Sequence, residues 1–175
     1  MRIAISGLTG VGKTTVSEIV AEKLNVTHIT FSMKDMARKM NISLIELQDM
    51  AKKDHNIDKK FDEVQLKEME EVKDFVISTW LGPWLAKPDF SVWLKAEDSE
   101  RFIRVSKRDD SSIEEVKKYV LKKDEQNMER YMKIYNIDIT EHSMFDFELD
   151  TTDLTPEQVA DIIIKKYKEK IGEYL

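Results

Sequence analysis

Eight consecutive residues near the start of the chain, Gly7-Leu8-Thr9-Gly10-Val11-Gly12-Lys13-Thr14, constrain the fold more than any other stretch. They satisfy the pattern G-x-x-x-x-G-K-[ST] in full. They follow Arg2 to Ser6, a run of strand length built on Ile3, Ala4 and Ile5. Directly after them, Val16, Ile19, Val20 and Leu24 recur at helical spacing. A strand that turns through glycines into a helix is the geometry of a phosphate loop, and the chemistry accounts for each position. Glycines let the backbone point successive N–H groups at anionic oxygens. The helix behind them offers unpaired N-terminal donors and the positive end of its dipole. Lys13 is placed to reach the β- and γ-phosphates, and the Thr14 hydroxyl to ligate Mg²⁺. Residues Gly7 to Thr15 are therefore the expected ATP-binding segment, with Mg²⁺ as the accompanying metal.

The rest of the chain alternates in type. A second strand is expected around Val26 to Phe31, a third over Asp74 to Ser78, a fourth over Phe90 to Lys95 and a fifth over Phe145 to Leu149. Polar helices are expected at Met33 to Met40, Ser43 to Lys53 and Ile57 to Glu71; Ser43 with Glu46 has the spacing of a capping box. A further helix covers Ser99 to Arg108, and the charged segment Ser111 to Tyr135 reads as one or two helices. Thr155-Pro156-Glu157 opens the last one. Strands alternating with helices predict an α/β fold, a five-stranded parallel sheet covered by helices on both faces, with ligands at the carboxyl ends of the strands. At 175 residues the chain fits a single domain, residues 1–175, with the polar helices as insertions.

Composition excludes several chemistries. With no cysteine there is no thiolate metal site, disulfide or cysteine nucleophile, and three histidines, at 28, 55 and 142, do not make a histidine-rich metal centre. A net charge of −6 argues against a general nucleic-acid binder. The N-terminus runs straight into a strand, and no apolar run reaches membrane-spanning length, so a cytoplasmic protein is expected, with no membrane partner and as a monomer.

A phosphate loop alone does not separate kinases from GTPases or regulators. No guanine-reading Asn-Lys-x-Asp and no Asp-x-x-Gly switch is present. A small kinase needs cations around the moving phosphoryl group. Arg104 and Arg108 lie four apart on one helical face after a strand end, and Lys123 and Arg130 lie in the long charged segment. With Lys13 they form the candidate catalytic set. The tryptophans at 80 and 84 could stack a base.

Taken together, the chain resembles the archaeal-type cytidylate kinases of the nucleoside monophosphate kinase group. The likeness runs through Ile5-Ser6-Gly7-Leu8, Ser43-Leu44-Ile45-Glu46, Ile57-Asp58, Trp93-Leu94-Lys95-Ala96, Lys107-Arg108, Arg130 to Asp138, Asp146 and Asp150-Thr151. The resemblance implies an acceptor-binding insertion at about 33–71, a lid at about 109–135, and phosphoryl transfer from ATP to CMP or dCMP. It also has departures. The family's Gly-Asp after the second strand is replaced by Phe31-Ser32-Met33-Lys34, and its Glu-Gly-Arg after the third by Ser78-Thr79-Trp80. Lys34 and Arg38, four apart on one helical face, are the expected replacements for the missing phosphate-gripping arginine, with Trp80 beside them in the acceptor site. Two classes stay open on the residues alone: a nucleoside monophosphate kinase, and a non-catalytic ATP-binding module or regulator that has lost acceptor chemistry.

Overall fold

The computed structural model describes residues 1–30, 33–54 and 56–172. In chain order the elements are β1 (Arg2–Gly7), α1 (Lys13–Leu24), β2 (Thr27–Ile29), α2 (Met33–Met40), α3 (Leu44–Lys53), α4 (Asn56–Glu71), β3 (Phe75–Ser78), α5 (Gly82–Leu85), β4 (Phe90–Lys95), α6 (Asp98–Asp109), α7 (Ile113–Tyr135), β5 (Phe147–Asp150) and α8 (Pro156–Lys170). The five strands lie in the order β2-β3-β1-β4-β5 and every pairing is parallel. The expected α/β architecture is therefore the observed one. β1 is central, with Ile3 opposite Val76 on one side and Phe90 on the other.

Alternation along β1 sorts the two faces. Ile3 and Ile5 point to a core shared with Val16 and Val20 of α1, Val92 and Leu94 of β4, and Ile163 and Tyr167 of α8. Ala4 points the other way, with Phe75 and Ile77, toward Met69 of α4 and Ala86. Both faces are covered, as parallel strands require, and each large side chain fully removed from water contributes about 1.5–3 kcal/mol. Three helices start on reciprocal caps: Ser43 with Glu46, Ser112 with Glu115, and Thr155 with Gln158. Each such cap is worth about 1 kcal/mol.

The charged segment after residue 111 is one unbroken helix, α7, held by Val116 and Val120 against Phe102 and Val105 of α6. The fifth strand begins at Phe147, two residues later than its apolar start suggests. Phe145 instead packs edge-on against Trp84 and Trp93, and Asp146 accepts from the Ser91 N–H at 2.8 Å, so both belong to the incoming loop. The short helix α5, with Pro83 in its first turn, was not foreseen. Of the expected second strand, Val26 and Thr30 fall outside β2, and Phe31 lies outside the described residues. Among the described residues no helix is long and apolar enough to cross a membrane.

Candidate active site

The loop between β1 and α1 sits at the carboxyl end of the central strand, where the neighbouring strands diverge to opposite sides. Two of its glycines have no substitute. Gly7 takes φ 147°, and a Cβ there would lie 2.4 Å from the Leu94 carbonyl oxygen of β4. Gly10 takes φ 88°, and its Cβ would lie 2.8 Å from the Arg101 carbonyl oxygen of α6. The backbone can therefore turn tightly between β4 and α6 only without side chains. The helix cap is Gly12, in the left-handed region and without any side chain to satisfy the first turn. As a result the N–H groups of Gly10, Gly12, Lys13, Thr14 and Thr15 have no acceptor among the described residues. Five donors left open at a helix N-terminus make a cradle for an anion.

The cradle opens into a cavity of about 970 Å³. Lys13 reaches back over the loop, its Nζ donating to the carbonyls of Gly7 at 2.7 Å and Leu8 at 2.8 Å. The same Nζ lies 4.9 Å from the centre of the Trp80 ring. Burial pushes the Lys13 ammonium down to about 7; Asp124 opposes that shift, whereas Lys123, Arg101 and Arg108 reinforce it. The pocket is electropositive, and an anion bound beside Lys13 would raise its pKa and favour the ammonium form.

Arg104, Arg108, Lys123 and Arg130 all line this cavity, with Trp80 and Asn127. They are not equally disposed. Arg104 donates to the carbonyls of Thr151 at 2.6 Å and of Val11 and Thr152 at 3.3 Å, and pairs with Glu100 at 2.9 Å. Its guanidinium thus ties the phosphate loop to the β5–α8 turn. Arg108 is exposed, and hydrogen bonds to the adjacent Asp109 hold its pKa above the ordinary arginine range. Lys123 donates to the Tyr119 hydroxyl at 3.2 Å. Arg130 reaches Asn127 Oδ1 at 3.0 Å and the Tyr131 hydroxyl at 3.1 Å, while Tyr131 lies 6.3 Å, ring to ring, from Trp80. Trp80 is fixed from below, its carbonyl accepting from the Ser6 hydroxyl at 2.9 Å.

Gly7 and Leu8 build the loop from behind and do not line the cavity. Arg38 lies on the exposed side of α2, away from the cavity lining, and the side chain of Lys34 lies outside the described residues. Two residues at the loop escaped sequence reasoning. Arg101 and Asp124 form a buried ion pair at 2.6 Å that grips Thr9. The signal was present: Asp124 falls on the stripe of Val116, Val120, Asn127 and Tyr131, where a charge is out of place on a buried face.

For a metal, Thr14 presents an exposed hydroxyl at the first turn of α1. No cluster of acidic or histidine side chains suited to a metal occurs among the described residues. That donor set fits Mg²⁺, which keeps waters and takes its remaining oxygens from nucleotide phosphates, rather than a metal needing a full protein cage.

Against known proteins, residues 2–153 match the cytidylate kinase-like family. The chain is 35% identical over 168 residues to a cytidylate kinase of Sulfolobus acidocaldarius, covering 94% of this chain and 92% of that one. It is 38% identical over 157 residues to one from Pyrobaculum islandicum, covering 87% and 85%. In three dimensions it is similar to shikimate kinase from Bacteroides thetaiotaomicron, with TM-score 0.64, 18% identity and 98% coverage of each chain. It is also similar to deoxyadenosine kinase from M. mycoides with bound dCTP, at TM-score 0.57 and 16% identity, covering 97% of this chain and all of that one. At these identities the structural likenesses speak to the fold.

Proposed function

The chain belongs to the cytidylate kinase-like family, and we propose that it transfers the γ-phosphoryl group of ATP to a nucleoside monophosphate, CMP or dCMP. The observation that carries this reading is the single cavity in which the open N–H cradle, Lys13 and the cations of α6 and α7 face one another. Phosphoryl transfer is mostly positioning and charge stabilisation, and this cavity supplies both.

In the reaction an oxygen of the acceptor's own phosphate attacks the γ-phosphorus in line. The new P–O bond forms as the bond to the β-phosphate oxygen breaks, giving a nucleoside diphosphate and ADP. The attacking oxygen is already an anion, so the step needs no general base; Glu100, the carboxylate that lines the cavity among the described residues, is paired with Arg104 at 2.9 Å. The open N–H donors of Gly10 and of Gly12 to Thr15 hold the donor phosphates. Lys13 leaves the Gly7 and Leu8 carbonyls to follow the transferring group, and Arg108, Lys123 and Arg130 offset its spreading charge. Arg104 holds the loop against the β5–α8 turn, which bounds the nucleotide end of the cavity. Mg²⁺, held through Thr14 with the phosphates, would supply further neutralisation of that charge.

The acceptor side lies around Trp80, whose indole can offer a face to a base or ribose but cannot fork a phosphate. Lys34 and Arg38 of α2 supply that grip as the insertion at about 33–71 closes, and the segment at about 109–135 bounds the opposite side. We place the enzyme in the cytoplasm as a monomer. The deciding experiment is a coupled assay with Mg·ATP against each common nucleoside monophosphate and its deoxy form. Preferred turnover of CMP or dCMP is expected; if no monophosphate is phosphorylated, an ATP-binding module without acceptor chemistry takes the place of the kinase.

A further inference from the structure

We propose that Asp124, clamped by Arg101, is a positioning residue that latches helix α7 to the phosphate loop at Thr9, so that the donor cradle and the α7 cations keep one fixed spacing. The inference deepens the kinase reading of this cavity and rests on it.

Thr9 is the third residue of the loop, and both its backbone groups are captured from outside the loop. Its N–H donates to Asp124 Oδ1 at 3.0 Å, and its carbonyl accepts from Arg101 Nη1 at 2.9 Å. The same Nη1 donates to Asp124 Oδ2 at 2.6 Å, closing a ring of three partners drawn from the loop, α6 and α7. The two charged side chains are 3% and 6% exposed. A buried ion pair adds little net stability over a well-packed apolar pair of the same size. It does impose direction, because each hydrogen bond constrains both distance and angle. A second contact limits the loop on the same side: α6 approaches Gly10 so closely that a Cβ there would lie 3.2 Å from Arg101 Cβ.

The consequence runs along α7. Asp124 shares its buried stripe with Val120, Asn127 and Tyr131, while Lys123 and Arg130 face the cavity. Any slip of Asp124 from Thr9 carries those two cations away from the loop. For a transition state whose charge must meet donors on both sides, a displacement near 1 Å costs on the order of 100-fold in rate. The segment expected as a lid is therefore anchored at its middle, and motion is left to its two ends. The positioning acts on relative placement rather than on nucleotide affinity, which separates it from a purely structural role.

The test compares wild type with Asp124→Asn, which preserves volume but turns one carboxylate oxygen into a donor facing Arg101. With ATP and CMP, kcat is expected to fall at least about thirtyfold while KM for ATP changes less than about threefold, the pattern of a loss felt only in the transition state. The second readout needs no acceptor. In wild type, the β,γ-imido analogue of ATP with Mg²⁺ should slow amide exchange both in residues 7–15 and in residues 120–131. In Asp124→Asn it should slow exchange in the loop alone. A folded variant with wild-type kcat, or with the paired protection intact, overturns the latch. If Asp124→Asn does not fold, Arg101→Lys is decided by the same two readouts, since a lysine keeps the charge but cannot bridge Thr9 and Asp124 as the planar fork does. A wild type that phosphorylates no nucleoside monophosphate defeats the kinase reading, and the exchange arm still decides the latch.

Discussion

Lys13→Met should abolish turnover and at the same time make the empty protein more stable. The reasoning starts from the lysine's ligand-free position, turned back on two loop carbonyls beside an indole and among other cations. Burial there holds its pKa at about 7 against an ordinary 10.5. The folded state thus binds this proton more weakly than the unfolded chain. The penalty is complete below pH 7 and fades as pH rises toward 10.5. Taken in full, that drop corresponds to about 5 kcal/mol. Lys13 keeps some contact with cleft solvent, so rather less than half, ~2 kcal/mol, is the expected gain on replacing it with a neutral side chain of similar length. For a chain of this size the gain should raise Tm by about 4–8 °C at pH 7, and the gap should narrow as pH approaches 10. The same change removes the charge that follows the γ-phosphoryl group, so kcat should fall by about two to three orders of magnitude. Calorimetric melting from pH 7 to 9.5, paired with the coupled kinase assay, measures both. A variant that melts below wild type at pH 7 refutes the account of a strained, desolvated cation. One that turns over normally refutes the site.

The same lysine makes nucleotide binding proton-linked: an anionic phosphate requires the ammonium, so Kd for Mg·ATP should rise about tenfold per pH unit above 7.5 and level off below 7. Titration calorimetry in buffers of different ionisation enthalpy should show close to one proton taken up at pH 8.5, and a flat Kd across this range would contradict it. Arg104→Met should cut the tie from the loop to Thr151 and lower Tm by about 5–10 °C, or about 2–3 kcal/mol; a thermal shift under 1 °C would mean that these hydrogen bonds carry no weight. Arg38→Ala should raise the acceptor KM at least about tenfold, near 1.4 kcal/mol, with ATP affinity measured alone unchanged. A silent Arg38→Ala in an active enzyme would mean that the acceptor phosphate is held elsewhere.

What the sequence made legible follows from how local the signals were. The phosphate loop is a contiguous word between a strand and a helix, so strand, turn and helix could be placed almost to the residue; Phe90–Lys95 was equally plain because a fully buried strand reads as an apolar run. The start of β5 was misread for the opposite reason. Phe145 is apolar yet answers to Trp84 and Trp93 from other segments, a tertiary demand that no local pattern records. The choice of Arg104 and Arg108 rested on same-face spacing. Spacing could not tell that Arg104 would be taken up by backbone carbonyls, or that Arg101, one turn earlier, would turn inward to Asp124 from 23 positions away. The acceptor side was least legible. The contiguous Glu-Gly-Arg that would have announced it is replaced by Ser78-Thr79-Trp80, and the proposed substitutes, Lys34 and Arg38, rest on same-face spacing alone.

The placement of β1 at the centre of a wholly parallel sheet has a consequence for how the chain is made. Its partners are β3 and β4, so neither of its edges can be hydrogen-bonded until residues 75–78 and 90–95 have been synthesised. β2 offers no interim partner, since it too pairs with β3. At a translation rate of about 5–20 residues per second, Ile3, Ala4 and Ile5 therefore wait on the order of 4–15 s with both edges open. Closing loops of that length before any native contact forms slows folding and leaves an apolar segment available for wrong pairing. The strand that leads into the phosphate loop is therefore secured only once residues 75–78 arrive, and until then its open edges are the ones that most invite wrong pairing.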